Sequence, residues 1–431
     1  MKMKLRLVLA VTALVLTLTT SADHKSRECS GCWEPVPAAP TVDQALGVNI
    51  HFTDAQPGEM KMIAEAGFRW IRMDFKWDLT EPERGRYDFS PYDRLLTSMD
   101  QYQLKPLFIL DYGNPHYTEG MSVRTEEARQ AFARWAVAAA KHFSGRGILW
   151  EMFNEPNVKL FWPPEPDVDE YAALALVVGR AFRAQVPNER FIGPATSGVE
   201  FNFIESCFQA NLLQYWQAVS VHPYRQRNPE SAANEYAYLR RLISDYAARQ
   251  KLTNAVPIIS GEWGYSAVWR KMSEEKQATF VARMMLTNLA NGIPVSIWYD
   301  WRDDGTDKTE PEHHFGLVRH EYRSGAAQVF EPKPAYLAVK TLTDQLRGFQ
   351  FVERLGIGAD YDYVLAFERN GQRRIVAWTT ATNRHGVRIT GLNGEVAIIG
   401  VTGDSLGRRA PAQNAIEIEL SGSPVYLTQP N

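Results

Sequence analysis

The chain has 431 residues, of which 45% are hydrophobic and 23% are charged. This length exceeds that of one small domain and suits one large α/β barrel with a small partner domain. The formal net charge is −3, and it becomes more negative if the basic residues of the first 22 positions are removed. Because nucleic-acid binding needs a basic face, the composition argues against a nucleic-acid partner.

The first 22 residues have the pattern of a secretory signal peptide. A basic head precedes an apolar run, and small residues at Thr20 and Ala22 stand where cleavage is expected. The alternative is a membrane anchor, but the apolar run is short for a spanning helix. We therefore expect a signal peptide at 1–22, a secreted or periplasmic protein, and no membrane association after cleavage.

Residues 23–40 are rich in proline, alanine and charge and are predicted to be a linker. Cys29 and Cys32 have the spacing of a redox or metal motif, but a zinc site needs four ligands and no second pair exists. A local disulfide and two idle thiols both remain open for this pair. Cys207 lies in an apolar helical stretch and is predicted to be a packed core thiol.

Eight mostly apolar segments, alternating with amphipathic helical stretches, predict eight strands. Their ranges are 46–52, 69–75, 106–111, 148–153, 191–196, 217–224, 256–263 and 294–301. Thr125 and Ser273 are predicted to cap two of the following helices. Repeated strand-then-helix units indicate a closed parallel barrel. A doubly wound open sheet would require a glycine-rich phosphate loop, and the sequence contains no GxGxxG or Walker motif.

From about Gly348 the sequence changes to short alternating strands, and Asn370-Gly371 between two of them is a strong hairpin signal. The predicted fold class is therefore α/β, with a (β/α)8 TIM barrel at 41–347 and a small all-β, sandwich-like domain at 348–431. For the second domain, a packing role is favoured over sugar binding.

Polar and aromatic side chains concentrate at the predicted C-terminal strand ends, where barrels of this type carry their active sites. Glu155 and Glu262 stand at the ends of strands four and seven, and opposed carboxylates are what glycoside hydrolysis needs. Glu151 lies deeper on the same strand face as Glu155, so we expect it to be a buried partner of a basic group. No histidine and carboxylate cluster has metal-ligand spacing, so neither a metal nor a cofactor is expected.

The segments WEMFNEPN, VSVHPY and ISGEWGYS, in this order, resemble the clan A glycoside hydrolases. WIRMDFKW, NEPNVKLFWPP, EWGYSA and FGLV followed by PKPAY are most similar to glycoside hydrolase family 39, with family 5 as a near neighbour. Family 39 includes β-xylosidases and bacterial exopolysaccharide-degrading enzymes. The resemblance covers roughly residues 41–347 and implies a retaining O-glycosyl hydrolase on a (β/α)8 barrel.

Carried over to matching positions, the resemblance implies that Glu155 is the general acid/base and Glu262 the nucleophile. It implies that Asn154 bonds the sugar 2-hydroxyl, and that His222 and Tyr224 orient the site.

The resemblance also implies that Trp298 is the platform under the sugar at the cleavage site and that Arg72 pairs with a carboxylate, expected to be Glu262. His51, at the end of strand one, is a further candidate for substrate binding. Trp162 could stack on sugars beside the cleavage site, and Trp77 could line the opposite subsites. For both of these tryptophans, packing or pairing within their own loops is an equal alternative.

We expect a secreted retaining glycosidase that cleaves β-glycosidic bonds within a polysaccharide, by endo action and double displacement. The expected substrate is an exopolysaccharide or a plant-type β-glycan, bound as a polysaccharide or an oligosaccharide. The protein itself is expected to be a monomer. The alternatives are an exo-acting β-xylosidase-like enzyme, a transglycosylase and a non-catalytic glycan-binding barrel.

Overall fold

The computed structural model describes residues 39–392 and 394–429. The predicted signal peptide, Cys29, Cys32 and nearly all of the predicted linker lie outside the described residues. Within the described ranges, no helix has both the length and the apolar character needed to cross a membrane. The described chain forms a barrel of parallel strands followed by antiparallel sheets.

Eight parallel strands close into a barrel, each pairing with the next along the chain and the last with the first. They are β1 (Leu46–Asn49), β2 (Trp70–Lys76), β3 (Lys105–Asp111), β4 (Leu149–Met152), β5 (Arg190–Ser197), β6 (Val219–His222), β7 (Ile258–Trp263) and β8 (Ser296–Trp298). All eight predicted strands are present. Several are shorter than predicted, because the backbone pairing ends before the apolar run does.

Ten α-helices accompany the described strands. They are α1 (Val42–Ala45), α2 (Glu59–Glu65), α3 (Trp77–Thr80), α4 (Ser90–Asp100), α5 (Glu126–His142), α6 (Val168–Gln185), α7 (Phe201–Gln209), α8 (Ala232–Arg249), α9 (Glu274–Ala290) and α10 (Pro334–Leu346). The predicted caps are confirmed: the Thr125 side chain accepts from the Ala128 amide at 3.2 Å, and the Ser273 side chain accepts from the Lys276 amide at 3.2 Å. Cys207 is fully buried in α7, as predicted.

Three 3₁₀ segments, Leu212–Tyr215, Pro229–Ser231 and Pro311–His314, lie in the connections of the barrel. The connection after β8 also carries a small hairpin of β9 (Val318–Tyr322) and β10 (Phe330–Pro332).

The lower part of the barrel interior is an apolar plug. It consists of Trp70, Leu107, Leu149, Ile192, Ala218, Ile259, Val295 and Ile297. β1 contributes Gly47 here, and a Cβ added to it would lie 2.6 Å from the Cβ of Trp70, so only glycine fits. Strand alternation then places the next inward residues above this plug, toward the C-terminal ends, and these residues are polar.

The C-terminal domain contains two sheets. The strands are β11 (Gln350–Arg354), β12 (Asp362–Arg369), β13 (Gln372–Thr379), β14 (His385–Thr390), β15 (Val396–Ile399), β16 (Ser405–Arg409), β17 (Ala415–Leu420) and β18 (Val425–Thr428). Six form one sheet in the order β11-β12-β13-β18-β15-β16, and β14 pairs with β17. Ile375, Ile389 and Ile416 from both sheets share one core, which confirms the sandwich-like prediction.

The predicted Asn370-Gly371 turn joins β12 and β13, with φ values of 50° and 79°. Positive φ at both positions is what a two-residue type I′ hairpin requires. β16 was not expected, because all five of its residues are exposed and its sequence, SLGRR, lacks the alternation that marks a half-buried strand.

Two polar junctions join the barrel to the all-β domain. At the N-terminal end of β1, the Val42 amide donates to the Phe349 carbonyl at 2.9 Å, and the Gln350 side chain donates to the Ala39 carbonyl at 3.0 Å.

The second junction is buried and involves the segment after β6. Glu230 accepts two hydrogen bonds of 2.7 Å from Arg283 of α9 and one of 2.7 Å from the indole N–H of Trp378 in β13. All three side chains are buried. The all-β domain is therefore tied to a connection on the C-terminal face of the barrel.

Candidate active site

Glu155 and Glu262 meet at the C-terminal end of the barrel. Glu155 lies just after β4 with a left-handed φ of 43°, and its amide donates to the Ala195 carbonyl at 2.9 Å. Glu262 belongs to β7. One carboxylate oxygen of each lies within 4.8 Å of the other, and each side chain is 12% exposed. The two carboxylates thus face the same small volume from opposite sides.

Arg72, on the inward face of β2, lies beneath this volume and contacts five surrounding polar side chains. Its side chain is 1% exposed. The guanidinium contacts Glu151 (Nε to Oε2, 2.8 Å), Asn49 (Nη1 to Oδ1, 3.1 Å), Asn154 (Nη2 to Oδ1, 2.9 Å), His222 (Nη2 to Nε2, 3.2 Å) and Glu262. The predicted ion pair between Arg72 and Glu262 is therefore present.

Glu262 is held in its ionised form. Burial alone would raise the pKa of the Glu262 carboxyl, but the charge of Arg72 and a 2.7 Å hydrogen bond from the Tyr224 hydroxyl hold that pKa below its ordinary value. The predicted contact between Tyr224 and Glu262 is therefore also present.

Glu155 has a different partner. Its Oε1 lies 2.9 Å from Nδ1 of His222, whose other nitrogen faces Arg72. A guanidinium can only donate, so Nε2 of His222 must accept, and the ring hydrogen is assigned to Nδ1. His222 therefore donates to Glu155 as a neutral imidazole.

Glu151 lies deeper in the barrel and is fully buried. It pairs with Arg72 and accepts a hydrogen bond from the Ser220 hydroxyl of β6. This confirms the expected role as a buried partner of a basic group. Ser220 was missed, although its position two residues before His222 on the inward face could have indicated it.

His51, which follows β1, lies at the mouth of the barrel with a side chain that is 40% exposed. Its Nε2 is 3.5 Å from Oδ2 of the buried Asp300. Partial burial would lower the pKa of His51, but the hydrogen bond and charge of Asp300 raise it to about 9. Burial raises the pKa of Asp300 to about 7 despite the opposing effect of His51.

Trp298 does not line the site, contrary to expectation. Ile297 belongs to the apolar plug, so the alternation of β8 points Trp298 away from the barrel interior. Trp298 is 0% exposed, and its indole N–H donates to the Phe315 carbonyl at 3.2 Å. Because a sugar platform needs an open ring face, this tryptophan cannot serve as one in the observed arrangement.

Tyr299, the next residue, lies at the mouth of the barrel instead. Its partly exposed ring packs edge-on against His51 with a centroid distance of 5.6 Å, and its hydroxyl donates to Glu312 at 3.1 Å. The charge of Glu262 is one of the influences on its pKa, after burial and Asp300. Tyr299, just after β8, is therefore an aromatic residue at the mouth of the site, where Trp298 was expected.

Trp77 and Trp162 are also buried rather than open to substrate, which corrects the expectation for both. Trp77 is 0% exposed, donates to Glu81 at 2.5 Å and stacks on Tyr117. Trp162 is 0% exposed and donates to Glu170 at 3.2 Å. Their indoles fill the space between loops and helices, which is the packing alternative.

Several further residues belong to the polar and aromatic set expected at the strand ends, although the sequence assigned them no individual role. They are Asn49, Asp74, Asp111, Tyr112 and Tyr299, which all stand at or just beyond the C-terminal ends of barrel strands. Tyr112 is partly buried, and Asn154 is one of the influences on the pKa of its hydroxyl, after burial and the charges of Asp111 and Asp74. The period-two alternation from Arg72 to Asp74 was the available signal.

Comparisons with known proteins agree with this geometry. The family model described as Cellulase (glycosyl hydrolase family 5) matches residues 39–305. No curated protein sequence gives a significant match.

Similar solved structures include a family 39 glycoside hydrolase from Bacteroides cellulosilyticus WH2, with 24% identity over 90% of this chain and 81% of that chain and a TM-score of 0.77. A monomeric beta-xylosidase from Caulobacter crescentus CB15 has 16% identity over 90% of this chain and 96% of that chain, with a TM-score of 0.65. A GH30 endoxylanase from Clostridium papyrosolvens C71 has 13% identity over 90% and 96%, with a TM-score of 0.66. The family model covers more than half of the chain, and the chain therefore belongs to the Cellulase family, glycosyl hydrolase family 5, as a clan A glycoside hydrolase with a family 39-like fold.

Proposed function

We propose that this glycoside hydrolase cleaves β-linked glycans with retention, with Glu155 as general acid/base and Glu262 as nucleophile. The supporting observation is that carboxylate oxygens of the two residues lie within 4.8 Å of each other. Retaining enzymes hold their carboxyl groups about 5–5.5 Å apart, whereas inverting enzymes leave about 6.5–9.5 Å for a water molecule. The partners of Glu262 favour the ionised form that a nucleophile needs.

In the first step, Glu262 attacks the anomeric carbon while Glu155 donates its proton to the leaving oxygen, which gives a glycosyl-enzyme and a free sugar hydroxyl. In the second step, Glu155 takes a proton from water, and the resulting hydroxide equivalent displaces Glu262. The His222 hydrogen bond fixes Oε1 of Glu155 through both steps, since the neutral ring donates to either form of the carboxyl group. Asn154 is proposed to bond the sugar 2-hydroxyl.

We infer endo action on a polysaccharide from a groove among the connections that follow the C-terminal ends of the barrel strands. A groove of about 630 Å³ lies between the connections after β3 and after β4 and is lined in part by Arg84, Tyr117, Arg124 and Pro163. This groove offers room for sugar units beyond the cleaved bond. The expected substrate remains an exopolysaccharide or plant-type β-glycan.

The proposal also includes secretion to the periplasm or medium, monomeric action, and a division into a signal peptide at 1–22, a linker at 23–40, a barrel at 41–347 and an accessory domain at 348–431. Secretion is supported by the pattern of the first 22 residues alone.

Chemical rescue of E155A and E262A with azide tests the assignment. Both variants should lose activity, about 10²–10⁴-fold for the acid/base residue. Azide should restore turnover of E155A with a β-glycosyl azide as product, because it attacks the glycosyl-enzyme on the face the leaving group has left. With E262A it should give the α-azide. Full activity of either variant, or the reverse stereochemistry, would refute the roles.

The substrate is tested by incubation with β-glucans, xylans, mannans and bacterial exopolysaccharides, followed by sizing of the products. Oligosaccharides of several lengths are expected early in the digest. Release of monosaccharide alone would overturn endo action, and binding without turnover on every glycan would overturn hydrolysis.

A further inference from the structure

Two aspartates form a pair at the ends of neighbouring strands, beside the proposed catalytic centre. Asp74 is on the inward face of β2, two residues beyond Arg72, and Asp111 ends β3. The strand register pairs Asp74 with Ile109 and Lys76 with Asp111, so the two carboxyl groups are diagonal neighbours. Asp111 is 0% exposed, whereas the Asp74 side chain is 24% exposed.

The strand register brings the fully buried carboxyl group of Asp111 beside that of Asp74, whose negative charge acts on it. Among the described residues, no N–H or O–H group donates to either oxygen of Asp111. Two ionised carboxylates are both acceptors, so a hydrogen bond between them requires a carboxyl proton. Burial and the charge of Asp74 also raise the pKa of Asp111 well above its usual range. The buried partner, Asp111, is therefore the neutral acid and donor.

Other charged or titratable groups face this pair but do not replace the proton. Lys76 Nζ is 3.8 Å from Asp74 Oδ2, which is too long for a direct hydrogen bond. The remaining neighbours are Arg72 on β2, Tyr92 on α4, His51 after β1 and Tyr112 next to Asp111.

Asp74 is placed to reach substrate. Two residues of strand lift it about 6.6 Å above Arg72 toward the mouth of the barrel. Its side chain is partly exposed, and its charge acts on His51 after β1 and on Tyr112 after β3, whose hydroxyl is also influenced by Asn154, the neighbour of Glu155. A carboxylate with spare acceptor sites at this position can accept hydrogen bonds from sugar hydroxyls.

We propose that Asp74 binds hydroxyl groups of the sugar at the cleavage site and that protonated Asp111 positions Asp74 for this contact. The pair thereby selects a neutral sugar over a uronate. A sugar carboxylate would be repelled by the negative charge of Asp74 and could not donate a hydrogen bond to it, whereas a sugar hydroxyl can donate one. This inference rests on the proposed function, because it places substrate beside Glu155 and Glu262. Asp74 is a substrate-binding residue, and Asp111 is a positioning residue.

Kinetics over a range of pH with a neutral β-glycan oligosaccharide test the pair. Loss of the shared proton at alkaline pH adds a second negative charge, so KM should rise there in the wild type. D111N keeps a neutral donor at every pH, so its KM should show no alkaline rise. D74N should lower kcat/KM about tenfold or more, mainly through KM, as expected for the loss of a charge-assisted hydrogen bond.

D78N is the matched control, since Asp78 is an exposed acid on α3 just beyond β2 and its loss should leave the pH profile of KM unchanged. The wild type should prefer the neutral oligosaccharide over its C6-oxidised uronate form at least tenfold, and D74N should narrow that preference. An alkaline rise in KM that persists in D111N, or an unchanged preference in D74N, would overturn the proposal.

Infrared difference spectroscopy of the free enzyme gives a readout that does not depend on turnover. Protonated carboxylic acids absorb in the carbonyl region, and the wild type should show one such band at neutral pH that D111N lacks and that disappears on alkaline titration, beside the bands of other protonated acids such as Asp300. Identical carbonyl bands in the wild type and D111N would refute the shared proton even if the enzyme is fully active. Conversely, failure of the azide rescue would refute the proposed function and leave the band unaffected.

Discussion

At the scale of single residues, Glu155 and Glu262 differ in their partners rather than in their type. Glu262 contacts a guanidinium and a tyrosine hydroxyl, and both contacts favour its charged form. Glu155 contacts a neutral imidazole. An asymmetry of this kind is how two carboxyl groups in one pocket come to divide the work of acid and nucleophile.

Y224F should shift the acid limb of the pH profile of kcat/KM. Removing the hydroxyl donor should raise the pKa of Glu262, because the ionised carboxylate loses a hydrogen bond that favours its charged form. Because the nucleophile must be ionised, kcat/KM should then begin to fall at a higher pH as the solution is acidified. Y238F, at a 45% exposed tyrosine, is the control and should leave the limb in place. An unmoved limb in Y224F would contradict this reading of Tyr224.

The neighbouring residues Trp298, which ends β8, and Tyr299, which follows it, give a second prediction. If Tyr299 stacks on the sugar, Y299A should lower kcat/KM about tenfold, since aromatic contacts contribute about 0.5–1.5 kcal/mol beyond area burial. W298F should instead lower the melting temperature and preserve kcat/KM, because the indole N–H bonds only the Phe315 carbonyl. The opposite outcome, with activity lost in W298F and kept in Y299A, would restore Trp298 as the platform.

At the scale of elements, the sequence was sufficient for the eight strands, the two helix caps and the two opposed glutamates, because each leaves a local signal in period or capping. It was not sufficient for the tryptophans. A tryptophan at a strand end looks the same whether it points inward or outward, and only the register of Ile297 in the plug decides that Trp298 points out. Trp77 and Trp162 are buried by loops and helices distant in sequence, which no local pattern records.

The contacts among β2, β4 and β6 have a measurable consequence for stability. Arg72, Glu151 and Ser220 join these three strands inside the barrel. E151A should reduce the free energy of unfolding by about 3–5 kcal/mol, because it leaves part of a buried guanidinium uncompensated. E65A, which removes an exposed pair with Lys61 at 3.6 Å, should cost less than about 1 kcal/mol. Denaturant titration gives both values, and equal losses would contradict the argument.

At the scale of the whole molecule, one face of the all-β domain packs into the hydrophobic cluster of the barrel. Leu365, Phe367 and Trp378 of the all-β domain belong to the same hydrophobic cluster as the barrel helices. The Glu230 junction adds buried charge to this interface. We therefore expect the two parts to unfold as one unit.

A chain truncated after residue 347 should consequently be insoluble or unfolded, because it would expose this core and leave Glu230 and Arg283 at a bare surface. Calorimetry of the whole protein should show a single transition with equal calorimetric and van't Hoff enthalpies. Two separate transitions, or a soluble and active truncated barrel, would show that the all-β domain is an independent attachment.

The junction at Ala39 and Gln350 has a consequence for orientation. It lies at the N-terminal end of β1, whereas Glu155 and Glu262 lie at the opposite, C-terminal end of the strands. A polypeptide tether that joins the protein ahead of residue 39 therefore attaches to the face turned away from the cleft. Enzyme immobilised on a bead through such a tether would hold its cleft toward the solution, where long polymers could thread in without obstruction by the support.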